Sequence, residues 1–203
     1  MSEGLRERKK AETRKALSTA ALRLAQQLGP DGVTVEAIAE AAGVSPRTFF
    51  NYFGSKEDAL LGVNPNETTQ LLADLVARPE GEGALEALHG MARRAAARLE
   101  AEADDMWARY ELAQSHPPLA MRRAARFSEV ERVLAEEIAR RTGLDVDRDP
   151  YPMLAVSTAL GAIRVAMAVW HDRGRTCALA DAVDETFTLL ARGLPSPIPA
   201  AGG

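Results

Sequence analysis

Along the chain apolar residues return every three or four positions, and no apolar–polar alternation persists, so the pattern predicts helices throughout and no strand. The first helix is read over about residues 11–28, with Leu17, Ala21, Leu24 and Leu28 on one face. Gly29-Pro30-Asp31-Gly32 stops it. A short helix follows from Thr34, a natural cap, to Ala42, and Gly43-Val44 form a tight turn. Ser45 then caps a third helix whose first position is Pro46, where the missing N–H costs nothing; Gly54 is expected to end it. Ser55-Lys56-Glu57-Asp58 reads as the capped start of a fourth. Asn64-Pro65-Asn66 should interrupt that helix, and Pro79 to Gly83 reads as a loop. Longer, alanine-rich helices are then expected at about 83–101, 103–115, 118–142, 151–173 and 177–192, before a Pro-rich tail from Pro195 that is expected to be mobile.

One stretch is unusual. Residues 153–170 are polar only at Ser157, Thr158 and Arg164. Eighteen helical residues span roughly 27 Å, close to the thickness of a bilayer core. Its many alanines, its glycine and a mid-span arginine argue against a membrane span. A helix apolar on nearly every face needs cover on two sides. Its own domain supplies one side and a second copy of the chain the other, with Ala166 and Ala168 as expected seats for that copy. The stripe Leu179, Val183, Phe187, Leu190 fits beside it.

Charge sharpens the division of labour. The 203 residues carry a formal charge of −4, but residues 1–60 have nine Lys+Arg against eight Asp+Glu, and the remainder is net −5. Arg6 to Lys15 holds six positive side chains and two negative ones. The single Cys177 excludes an internal disulfide and suits a reducing compartment. The basic N-terminus lacks the apolar run of a secretory signal, so a cytoplasmic location is expected.

The chemistry concentrates in Val35–Tyr52. A helix-turn-helix needs a small residue where two helices touch, a glycine in the turn and apolar residues locking one helix on the other. Ala39, Gly43, and Ile38, Ala42, Val44 and Phe49 supply these. That leaves Pro46, Arg47, Thr48, Phe50, Asn51 and Tyr52 exposed on the second helix. Arginine reads guanine edges through paired donors, hydroxyls reach phosphates, and aromatic carbon suits a thymine methyl. By contrast His89, His116 and His171 stand isolated, with no G-x-S-x-G, phosphate loop or paired cysteines, so no catalytic site, metal or cofactor is expected.

With these residues in place, Gly32–Leu60 (GVTVEAIAEAAGVSPRTFFNYFGSKEDAL) resembles the TetR family of bacterial regulators, and the resemblance extends over residues 11–61. It implies an all-α fold: a helix-turn-helix DNA-binding domain over 1–60, then a helical ligand-binding and dimerisation domain over 61–203. It implies phosphate contacts for Thr34, Thr48, Tyr52 and Lys56, base contacts for Pro46, Arg47 and Phe50, and places Ser45 and Asn51 on the same face. Two departures stand out: Phe50 where many relatives carry tyrosine, and the acidic Glu36. The layout is similar to actinobacterial members related to mycofactocin-associated regulators. The implied partners are double-stranded palindromic operator DNA, a second copy of the chain, and a small drug-like or acyl effector that releases a repressor. For the effector, Met106, Trp107 and Tyr110 form one apolar group, with Met91, Phe127, Met153 and Met167 on neighbouring helices; ordinary core packing is the alternative for each. Arg164 would pair with an anionic ligand group or with Asp105 or Glu111. The acidic group Glu102, Asp104, Asp105 and Glu111 instead suits a cationic ligand, or simply a solvated helix start.

Overall fold

The computed structural model describes residues 2–195, the side chains of residues 2–5 and 7 excepted; the expected mobile tail, Pro195 apart, lies outside the described residues. Among the described residues there are helices and no strand. Ten α-helices follow in order: α1 (Ser2–Leu28), α2 (Val35–Ala41), α3 (Pro46–Phe49), α4 (Lys56–Leu60), α5 (Asn66–Val76), α6 (Ala84–Leu99), α7 (Ala103–Ser115), α8 (Pro117–Thr142), α9 (Pro150–Asp172) and α10 (Leu179–Ala191). A single 3-10 turn, Glu100–Glu102, joins α6 to α7.

Two compact units emerge, and the chain visits each twice. The first comprises residues up to Pro65 together with Glu102–Phe127. Its core gathers Leu17 and Ala21 of α1, Ile38 and Ala39 of α2, Phe49, Phe53, Leu60 of α4, Ala113 of α7 and Leu119 of α8. Polar ties reinforce it. Arg122 makes a two-pronged bond to the buried Asp58 carboxylate, at 2.9 and 3.0 Å. Arg109 donates to Ser18 O (3.1 Å), Ala59 O (3.1 Å) and Leu60 O (2.6 Å), finishing the carbonyl end of α4.

The second unit comprises Asn66–Ala101 and the chain from Ser128 onward. Here α10 packs on both α9 and α6, while α5 and α9 also lie against α6. Leu75, Leu88, Met91, Leu134, Ile138, Val156, Leu179, Val183 and Phe187 are buried. His89 stacks on Phe187 with ring centroids 4.7 Å apart, and its Nε2 donates to Asp184 at 2.6 Å, tying α6 to α10. An open cleft of about 380 Å³ runs beside α6, lined by Arg78, Glu86, His89, Gly90, Arg93 and Arg94. Its arginines face Glu82, Asp184 and Asp74, and none of the apolar effector candidates lines it.

The apolar helix of the sequence is α9, which by length and composition alone would suffice to cross a membrane. One side is covered by its own chain: Val156, Ala159, Leu160, Ala162, Ala166 and Trp170 are buried. Ala166 is therefore an internal residue and not a seat for a second copy. The outward stripe is Tyr151, Leu154 and Val165; on α10, Leu189 is exposed as well. Arg164 is also exposed and makes no ion pair among the described residues. Asp105 instead approaches Arg109, and Glu111 accepts from Trp107 Nε1 at 3.0 Å.

Candidate nucleic-acid interface

The interface is built from three short helices whose ends are fixed by side chains. Thr34 Oγ1 accepts the Ala37 N–H at 3.2 Å, starting α2. After α2, Gly43 takes left-handed backbone (φ +69°), and Val44 N–H bonds Ala39 O at 2.9 Å, closing the turn. Ser45 Oγ accepts the Thr48 N–H at 3.1 Å and shares a hydroxyl bond with Thr48 at 2.9 Å. Pro46 follows at the first helical position. Ile38, Ala39 and Phe49 are wholly enclosed, with Ala42 and Val44 packed against them, so α3 is pinned by one face.

The opposite face is open. Pro46, Arg47 and Asn51 are exposed, Thr48 and Tyr52 half-buried. Phe50 is 59% exposed and stands edge-on to Phe49, centroids 5.4 Å apart. An exposed aromatic ring near an exposed arginine, on a segment anchored from behind, is the kind of surface that suits a binding partner. The regular α3 is shorter than its sequence suggested. From Asn51 to Tyr52 the N–H groups bond carbonyls three residues back, while the Phe53 N–H returns to Phe49 O, four back, and its ring lies in the core beside Phe49.

Lys56, at the start of α4, does not point freely outward. Its ammonium donates to the carbonyls of Pro30 (3.2 Å), Asp31 (3.4 Å) and Val33 (3.0 Å). Arg14 of α1, which the sequence pattern did not single out, lies over the Phe53 ring at 4.8 Å and the Tyr52 ring at 5.9 Å while donating to Val63 O. Burial pulls its pKa below the usual guanidinium value, against a small opposing pull from Tyr52. Its signal was absent because its partners lie about forty residues or more away.

The effector candidates fall in both units. In the first, Met106, Trp107 and Tyr110 are half-buried on α7, the two rings 5.2 Å apart, with Arg123 over Tyr110 at 4.6 Å; Phe127 is exposed. In the second, Met91 is fully enclosed, Met153 and Met167 are half-buried, and Arg164 is exposed.

A small residue, a left-handed glycine and a back-anchored second helix with an open polar and aromatic face define a helix-turn-helix DNA-binding protein. The family description "Bacterial regulatory proteins, tetR family" matches residues 17–63, and "MftR C-terminal domain" matches 82–195. The chain belongs to the tetR family and is a ligand-responsive transcriptional regulator. It is similar to the HTH-type transcriptional regulator TcmR of Streptomyces glaucescens, 38% identical over an alignment 179 residues long that covers 85% of this chain and 79% of that one. It also resembles the solved FadR repressor of Thermus thermophilus in complex with lauroyl-CoA (29% identity, TM-score 0.52, 94% of this chain and 100% of that one). Bacillus subtilis FadR in complex with stearoyl-CoA shares the fold at 21% identity, with TM-score 0.56, 88% of this chain and 98% of that one.

Proposed function

We propose that this chain is a repressor that binds a palindromic operator as a homodimer, with residues 1–60 reading DNA and 61–203 serving ligand binding and dimerisation. The observation that carries the reading is the open face of α3 and the turn after it, where Arg47, Phe50 and Asn51 are exposed while Phe49 is buried behind them. Pro46, Arg47 and Phe50 are assigned to bases; Thr34, Ser45, Thr48, Asn51 and Tyr52 to the sugar-phosphate backbone. Two such helices about 34 Å apart in a dimer would enter successive major grooves. The outward stripe of α9 and α10 supports the two-fold partner, because Tyr151, Leu154, Val165 and Leu189 are large apolar side chains left uncovered in a single chain.

The effector is assigned as a small hydrophobic or amphipathic molecule, drug-like or acyl. The lauroyl-CoA and stearoyl-CoA bound by the two FadR proteins favour the acyl class. Met106, Trp107 and Tyr110 offer it an adaptable apolar wall on α7. Such a ligand releases DNA only through its differential affinity for the two forms of the dimer.

Selection of duplexes from a random library tests the reading. The protein should enrich one inverted repeat, and Arg47→Ala should weaken binding to it by about 1–3 kcal/mol, the worth of a bidentate guanine contact. Recovery of no common sequence would overturn it.

A further inference from the structure

The turn joining α1 to α2 is held more firmly than a short surface loop requires. Gly29 closes α1 in left-handed backbone (φ +73°), its N–H on Ala25 O at 2.9 Å. Gly32 lies so close to the helix end that a β-carbon there would stand 2.7 Å from Leu28 O. Val33 is buried. Onto this turn comes the Lys56 ammonium, with an acceptor for each of its three protons in the carbonyls of Pro30, Asp31 and Val33. His116 Nε2, from the junction of α7 and α8, bonds the Asp31 carboxylate at 3.0 Å.

The placement matters because of what lies between. The turn leads directly into α2, Lys56 opens α4, and α3 is the element between them in the chain. Lys56 thus ties the entrance of the helix before α3 to the entrance of the helix after it. Phe49 is the one buried side chain of this four-residue helix, and a single anchor on one face leaves its angle dependent on the helices before and after it. Reaching instead for a DNA phosphate would cost the lysine bonds to carbonyls that are partly buried.

Resting on the operator-binding reading above, we infer that Lys56 is a positioning residue: it clasps α2 to α4 and so sets the angle at which α3 meets base edges, and it is not a phosphate ligand. A phosphate contact weakens binding uniformly across sequences when removed, whereas a loosened reading helix loses only the sequence-specific part.

The test uses the full-length protein and two probes: the duplex recovered by selection with the unaltered chain, and a scrambled duplex of the same length and composition. Lys56→Gln should weaken the selected duplex about tenfold, the effect of losing one or two charge-assisted hydrogen bonds, and the scrambled one by no more than about twofold. Lys56→Arg should fail to restore selectivity, because a planar guanidinium does not match three converging carbonyls; a phosphate would accept it at least as well as lysine. Gly32→Ala, which displaces the turn without altering charge, should give the same selective loss. Equal weakening on both duplexes, or full recovery with Lys56→Arg, would overturn the inference. Should Lys56→Gln fail to fold, as judged by circular dichroism, the arginine variant decides alone. If the unaltered chain selects no sequence at all, the operator-binding reading is what has failed.

Discussion

Arg109 shows how much a single side chain can hold together. Its guanidinium sits inside the first unit, where burial lowers its pKa and Asp105 and Glu102 pull the other way. Three backbone carbonyls, from α1 and the end of α4, take its protons. A β-carbon on Gly62 would come within 2.9 Å of its Nε, so that glycine makes the room (φ +68°). Arg109→Met keeps the stem and removes the donors; urea unfolding should show a loss of about 2 kcal/mol or more, since the orphaned carbonyls stay partly buried. An unchanged midpoint would show the bonds to be dispensable. The sequence pattern passes over this residue for a physical reason. An arginine four residues after Asp105 on a mixed helix reads as solvated, and the carbonyls it bonds lie 49 to 91 residues away. Met106, Trp107 and Tyr110, close by on the same helix, stand out only because their apolarity is visible without knowing the fold.

Helix starts marked by a capping side chain were the most legible elements, because a cap is decided within four residues; α1, by contrast, begins at Ser2 and not near residue 11 as its pattern suggested. Thr34, Ser45 and Ser55 each accept the N–H three positions on, as their spacing foretold. Helix ends were less so. Residue 54 is marked by a glycine, yet α3 stops at Phe49: the Asn51 and Tyr52 N–H groups turn to carbonyls three residues back, although Phe53 still bonds Phe49 O and packs on the same face. Leu28 belongs to the predicted apolar stripe of α1 but is 57% exposed, since the helix finishes there and Gly29 turns the chain away. At this scale Ser45→Ala is informative. It orphans the Thr48 N–H at the start of a four-residue helix, and should cost about 1 kcal/mol in thermal or urea unfolding. A larger fall in operator affinity than in stability is expected, because the cap also sets the approach of Arg47.

For the molecule as a whole, the exposed apolar residues of α9 are where the proposed second copy would sit. The composition of residues 153–170 foretold a helix needing cover on two sides, but not which residues would face which way; Ala166 turned inward and Leu154, at 63% exposure, outward. Leu154→Glu places a charge on the proposed two-fold seam and should yield monomers by light scattering while leaving the helical spectrum intact. Those monomers should lose the selected inverted repeat, because each half-site alone is bound weakly. A dimer that survives the substitution would move the seam elsewhere.

The first unit is assembled from two separate stretches of chain, and this bears on any attempt to transplant its specificity. Residues 1–65 cut out alone would lack Leu119 and Ala113 from their core, the guanidinium that finishes α4, and the Arg122 partner of a buried carboxylate. Such a fragment should melt without cooperativity, whereas one that also supplies 102–127 through a linker should show a sharp transition. Anyone wishing to graft this reading head onto a foreign sensor must therefore carry over two inserts instead of one.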